Sequence, residues 1–206
     1  IGNYASASLA AYGGAIYNNG TLGNLTGDFI GNYASSSNAR ASGGAIYNSG
    51  TIGNITGDFI GNYASSSYNS YGGAIYNDEG TIGDISGEFI DNKTDNTSFG
   101  WAGGSFIYNE KGTIGNITGD FIGNNAYSSY IALGGVIHNG GSNGTDGVIG
   151  DITGNFTGNY VYADDQAMGG AIYNTYEGVI GNVAGDFIGN YASSSNARAS
   201  GGAIYN

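Results

Sequence analysis

The sequence predicts an all-β solenoid, a single-stranded parallel β-helix with about 30 residues per coil and roughly six to seven coils. Three observations lead there. A double glycine returns at Gly13, Gly43, Gly72, Gly103, Gly134, Gly169 and Gly201, in steps of 29 to 35 residues. Between copies lie short apolar segments separated by Gly and Asn, none long enough for a helix and none with helical spacing. Gly at 42 of 206 residues is balanced by 18 Tyr, 8 Phe and many Ile, which argues for a packed core rather than disorder.

Each repeat carries three strand segments, as in Ala45-Ile46-Tyr47-Asn48, then Thr51 to Thr56, then Asp58 to Tyr63. In a parallel solenoid equivalent residues stack at about 4.8 Å, so every repeated position becomes a ladder and the fragment spans roughly 30 Å. Alternation in the first segment places Ile16, Ile46, Ile75, Ile137, Ile172 and Ile204 inward, together with Asn18, Asn48, Asn77, Asn109, Asn139, Asn174 and Asn206. Side-chain amides bonded from coil to coil would satisfy this buried Asn column. A second inward column is Phe29, Phe59, Phe89, Phe121, Phe156 and Phe187, each followed three residues later by a corner Asn: Asn32, Asn62, Asn92, Asn124, Asn159 and Asn190. The opposite parity of the first segment predicts a water-facing row of Tyr17, Tyr47, Tyr76, Tyr108, His138, Tyr173 and Tyr205. The fourth copy, Gly103-Gly104-Ser105-Phe106-Ile107-Tyr108-Asn109, reads as one residue longer and predicts a bulge or shifted corner.

Composition narrows the function classes. Asp and Glu outnumber Lys and Arg by 16 to 4, which disfavours nucleic acid as a partner. There is no Cys, so no disulfide or thiolate metal site holds the fold. No apolar run in this region is long enough for a membrane-spanning helix. Residues 1–206 read as one continuous array without a compositional boundary. Opening in mid-repeat at Ile1 and stopping at Asn206, they suggest a window of a longer chain or a unit whose ends stack on identical units. Ile188 to Asn206 repeats Ile30 to Asn48 letter for letter over 19 residues, which points to recent duplication.

The alternation of GGA(I/V/L) with FxxN resembles the repeat family of polymorphic outer-membrane proteins, found in autotransporter passengers and large bacterial surface adhesins. The resemblance covers the whole chain. All six core Phe obey FxxN, and five of seven double glycines precede Ala, Ser105 and Val136 being the exceptions. It implies a right-handed parallel β-helix, exported and exposed at the cell surface or outside the cell.

Several columns carry chemistry. Asp28, Asp58, Glu88, Asp120 and Asp186 precede core Phe residues, with Asn155 in the same row. They form either an acidic, solvated stripe or a column bridged by Ca²⁺ or another hard cation. Thr21, Thr51, Thr81 and Thr113 with Val148 and Val179, and Thr26, Thr56, Ser86, Thr118 and Thr153, form two Thr columns that suit either ice binding or any exposed strand, and their interruptions favour the latter. The Tyr row and Trp101 are candidate contacts for a glycan or partner surface, the alternative being that the rings stack on one another. Departures from the repeat, at Gly140 to Gly147, at Asp91 to Asn96 with Trp101, and at Asp164-Asp165, are where a cation or glycan site would be grafted.

Catalysis is not expected. The only Arg residues, Arg40 and Arg198, lie in duplicated copies of one loop, and no cluster of acid and base groups is visible. The expectation is an extracellular structural protein, the rigid shaft of a surface fibre whose partner is itself, through end-to-end or lateral contacts. The alternative is an adhesin passenger module that binds host surface or glycan ligands through the Tyr row and the irregular loops.

Overall fold

The computed structural model describes residues 1–141 and 147–206, and within them the chain is a parallel β-solenoid without a helix. One coil shows the plan. Its strands are Tyr33–Ser36, Arg40–Ser42, Ile46–Asn48, Thr51–Ile52, Ile55–Thr56 and Phe59–Ile60. Corresponding strands of successive coils pair in parallel, building six sheets along the axis that are numbered here first to sixth in that order. The registers equate like with like: Ile46 lies beside Ile16 and Ile75, and Phe59 beside Phe29 and Phe89.

Each coil encloses two cores. The third to sixth sheets surround the larger one, where Ile46, Ile52, Ile55 and Phe59 and their counterparts are fully or almost fully buried. The first and second sheets enclose a thinner one filled by Ala34, Ala41 and Ala64, then Ala102, Ala126 and Ala132 farther along. Small serines complete it: the Ser70 hydroxyl donates to the Asp95 carbonyl at 2.6 Å and that of Ser128 to the Gly100 carbonyl at 2.8 Å.

The double glycine sits at the waist between the two cores. Gly43 has φ +67°, and a Cβ there would lie 2.1 Å from the Ile46 carbonyl oxygen. A Cβ on Gly44 would lie 2.6 Å from the backbone N and O of Tyr63, where the next coil's first strand begins. One glycine therefore turns the chain and its neighbour lets two backbones touch. This pinch bends the coil inward, so the second and third sheets meet at a re-entrant angle.

The fourth copy contains no bulge. Register pairs Gly103 with Tyr71 and Leu133, so Gly104 takes the turning position with φ +55°. Ser105 then stands where other coils have the second glycine, its hydroxyl donating to the Gly135 carbonyl, and Phe106 stands where they have Ala or Val. The adjacent Gly-Gly in the sequence imitates the motif one residue out of step. Phe106 is fully buried beside the Phe column, 4.1 Å from Phe89 between ring centres, and the Phe59–Phe89 pair is spread to 6.3 Å and tilted.

Candidate functional site

Two buried ladders tie the coils together. Asn18 donates from Nδ2 to Asn48 Oδ1 at 2.7 Å, and the same bond continues through Asn77, Asn109, Asn139, Asn174 and Asn206 at 2.8–2.9 Å. The FxxN column does more. Asn62 Oδ1 accepts from both the backbone N–H and Nδ2 of Asn32, while Asn62 Nδ2 donates to Asn92 Oδ1 and to the Phe29 carbonyl. Asn92, Asn124 and Asn159 repeat that set, and Asn190 receives the bonds of Asn159. Asn fits here because one amide group supplies two donors and an acceptor of two bonds, all consumed in a site buried from solvent.

The acidic column has its own backbone role. Asp28 Oδ1 accepts the Asp58 N–H at 3.0 Å, Asp58 Oδ1 that of Glu88 at 2.8 Å, and Asp120 Oδ1 that of Asn155 at 2.7 Å. Asp186 donates its own N–H to Asn155 Oδ1. Asn155 accepts as a carboxylate would, so the column uses an oxygen rather than a charge. Among the described residues no three His, Asp or Glu side chains converge as a cation site would require.

A parallel row at Asn24, Asn54, Asp84, Asn116 and Asp151 does the same work, each Oδ1 accepting the N–H of the next coil at 2.7–3.0 Å. The recurring Gly-Asn or Gly-Asp before an apolar residue was the available signal for it. A second Tyr row, on the first sheet, also escaped the sequence reading: Tyr4, Tyr33 and Tyr63 stack at 5.0–5.1 Å, and Tyr63 donates to Asp95.

The third-sheet Tyr row differs from its expectation. It points away from the Ile core, but that outward face lines the re-entrant angle and is roofed by the second sheet. Tyr17 is 55% exposed, whereas Tyr47, Tyr76 and Tyr108 are buried, and Tyr173 and Tyr205 are half-buried. The rings stack along the axis, from Tyr17–Tyr47 at 5.0 Å through Tyr108–His138 at 4.1 Å to Tyr173–Tyr205 at 5.2 Å.

Two outward positions of each second-sheet strand decide how well the angle is filled. They are Ala10 and Tyr12, then Arg40 and Ser42, Asn69 and Tyr71, Trp101 and Gly103, Ile131 and Leu133, Gln166 and Met168. In the first four strands a large residue is paired with a smaller one. Around Arg40 the groove is sealed: its guanidinium carbon lies 4.4 Å from the Tyr76 ring centre and 5.4 Å from that of Tyr71, and Nε donates to Ser42 Oγ at 2.7 Å. The Tyr47 hydroxyl donates to Asp78 at 2.5 Å and that of Tyr76 to Glu110. Burial pushes the Tyr71 and Tyr76 hydroxyls above their ordinary pKa, Arg40 working against the rise.

Beyond Gly103 the groove opens. A cleft of about 200 Å³ lies over Tyr108, His138, Leu133, Met168 and Tyr173, with Trp101 on its rim. A shallower recess of about 390 Å³ adjoins it through Trp101, bordered by Tyr68, Asn69, Phe99 and Tyr130. His138 replaces a Tyr of the row and is buried; desolvation pulls its pKa down from 6.5 to about 3, so the ring is neutral. Nε2 lies 3.1 Å from the Gly140 carbonyl, and Nδ1 has no hydrogen-bond partner among the described residues. Of the enlarged corner at Gly140 to Gly147, residues 142–146 lie outside the described residues. The Asp164-Asp165 corner is engaged locally, Asp164 accepting from the Ser195 hydroxyl.

The Thr columns are exposed or half-buried on the fourth and fifth sheets, in register from Thr21 through Thr113 and from Thr26 through Thr153. No protein family, curated protein or solved structure matches the chain.

Proposed function

We propose that the chain is a rigid shaft segment of an extracellular or cell-surface fibre, a structural protein whose principal partner is another stretch of the same solenoid. The observation that carries this reading is the pair of uninterrupted Asn ladders, which bond every described coil to the next through the core as well as through the sheets. A rod held this way resists bending because bending would open buried amide bonds that no water can replace. Four Lys or Arg residues and no Pro leave few tryptic sites and no proline in any strand, as suits an external fibre. The resemblance of the GGA and FxxN pairs to surface-exposed repeats supports the same location.

Electron microscopy of the purified 206-residue polypeptide, in EDTA and in millimolar Ca²⁺, tests the reading. Straight filaments one solenoid wide, with mass spectrometry returning the unit chain, are expected in both conditions, because Asp28, Asp58 and Asp120 each accept a backbone N–H of the next coil without a cation. Discrete short particles in both would sink the filament reading. Filaments only with Ca²⁺ would restore a bridging cation at Asp28, Asp58, Glu88, Asp120 and Asp186.

A further inference from the structure

We infer that the open half of the groove, from the recess at Phe99 across Trp101 to Gln166, is a binding cleft for a neutral oligosaccharide. The inference goes beyond the shaft, since a filament and a discrete rod present this cleft equally.

Four observations carry it. The first is aromatic exposure at one place: Phe99 is 81% exposed, Tyr68 56% and Tyr130 36%, with the chain's single Trp between them. Surface aromatics gathered in a concave site are a recognition feature rather than a core feature. The second is charge. In a chain with 16 acidic residues, none of the described residues lining the cleft or its recess is Asp, Glu, Lys or Arg. Arg40 stands one coil before Asn69, Arg198 one coil after Gln166, and Asp165 lies behind Gln166, so between them an ionic ligand meets neutral side chains, whereas a pyranose offers an apolar C–H face to a ring and hydroxyls around its edge.

The third is the supply of polar groups for those hydroxyls. Asn69 uses its Oδ1 on the Trp101 N–H at 2.9 Å, which leaves its Nδ2 without a hydrogen bond among the described residues, and Gln166 holds only a 3.4 Å contact to Asp165. At the cleft floor the buried Nδ1 of His138 has no hydrogen-bond partner among the described residues. A few polar groups set among apolar walls orient a ligand that the walls alone would hold loosely. The fourth is the repeat. Asn69, Trp101, Ile131 and Gln166 occupy the same position on four successive coils. Their spacing along the axis is about 4.8 Å per coil, close to the rise of one sugar ring in a linear chain. A linear oligosaccharide lying along the axis thus meets one rung per sugar.

Trp101 is the only Trp, so its fluorescence reports on the cleft alone. The experiment titrates the 206-residue chain with hexaoses of glucose, mannose, galactose and N-acetylglucosamine, and with a sulfated hexasaccharide. At least one neutral hexaose is expected to shift the emission saturably, with a Kd between roughly 10 µM and 10 mM. Phe99→Ala or Gln166→Ala should weaken it by about fivefold or more, a loss on the scale of one contact. Phe99 lies outside every core, so that variant retains the fold, which circular dichroism verifies. Absence of saturation by every neutral hexaose would overturn the proposal. So would tighter binding of the sulfated sugar, or neutral binding that neither variant weakens.

Discussion

The re-entrant groove is built twice along one solenoid, sealed around Arg40 and open beyond Gly103, on the same backbone plan. In the sealed half Tyr71 covers Tyr76 and Tyr108, and Arg40 fills the space above Ser42. In the open half Gly103 removes the cover and Trp101, two residues earlier, stands at the rim. Small and large residues exchange places between two outward positions of one strand. The six sheets and both Asn ladders run unbroken through both halves, so surface shape varies here without interrupting the axis.

The strongest way to break this comparison is to open the sealed half. Tyr71→Gly is expected to cost about 2–3 kcal/mol in urea unfolding, less than truncating a fully buried aromatic ring because Tyr71 is half-buried. Adding Asn69→Trp copies the Trp101–Gly103 arrangement. The double variant should recover more than about 1 kcal/mol relative to the sum of the single changes. Strict additivity would show that the two positions do not share volume.

The halves also separate by pH. In the unfolded chain His138 takes up a proton near pH 6.5, but in the folded chain only near pH 3. Protons therefore favour unfolding as pH falls from 6.5 to 3. At pH 5 the loss should be about 2 kcal/mol relative to pH 7.5, at 1.4 kcal/mol per pH unit. His138→Tyr, which restores the row, should remove that component from the stability profile. The sealed half responds at the other extreme. Tyr71 and Tyr76 have folded pKa values raised by burial, so their contribution is complete below pH 10 and is lost as pH climbs beyond it. The Tyr71→Gly variant should lose part of that alkaline sensitivity.

A smaller effect tests the seal itself. Arg40 is packed against Tyr71 and Tyr76 of the following coil. Arg40→Ala should cost about 1–2 kcal/mol in urea unfolding, and Arg40→Lys less. No loss in either variant would mean that the rings add nothing. The smallest effect is expected at the outer edge, where Asp58→Asn keeps the acceptor for the Glu88 N–H and should change stability by less than about 0.5 kcal/mol. A large loss there would point to a role for the charge.

Much of the fold was legible because a ladder repeats its residue. Ile46, Phe59, Asn48 and Asn62 recur at one period, and a period in sequence becomes a column in space. The inward bend was not legible in that way. Parity tells which side chains leave the core, but not whether the surface they reach is convex, so Tyr47 and Tyr76 read as exposed. The clue lay in the other half of the repeat, where Ala34, Ala41 and Ser70 are too small to fill a wide core and require two sheets to approach closely. At Gly103 the letters themselves misled, because Gly-Gly arose from a substitution at the Tyr71 position rather than from the turn. The cleft follows from that same substitution and becomes visible only once the register is known.

The amide ladders also give the molecule a direction. In both Asn columns each Nδ2 donates to the Oδ1 of the following coil, from Asn18 to Asn206 and from Asn32 to Asn190, with no reversal. Their dipoles therefore add head to tail, as peptide dipoles do in a helix. A solenoid of this sequence has a donor face and an acceptor face, like the two ends of a magnet. Any assembly that continues the ladders is polar, and reversing one unit would set donor against donor.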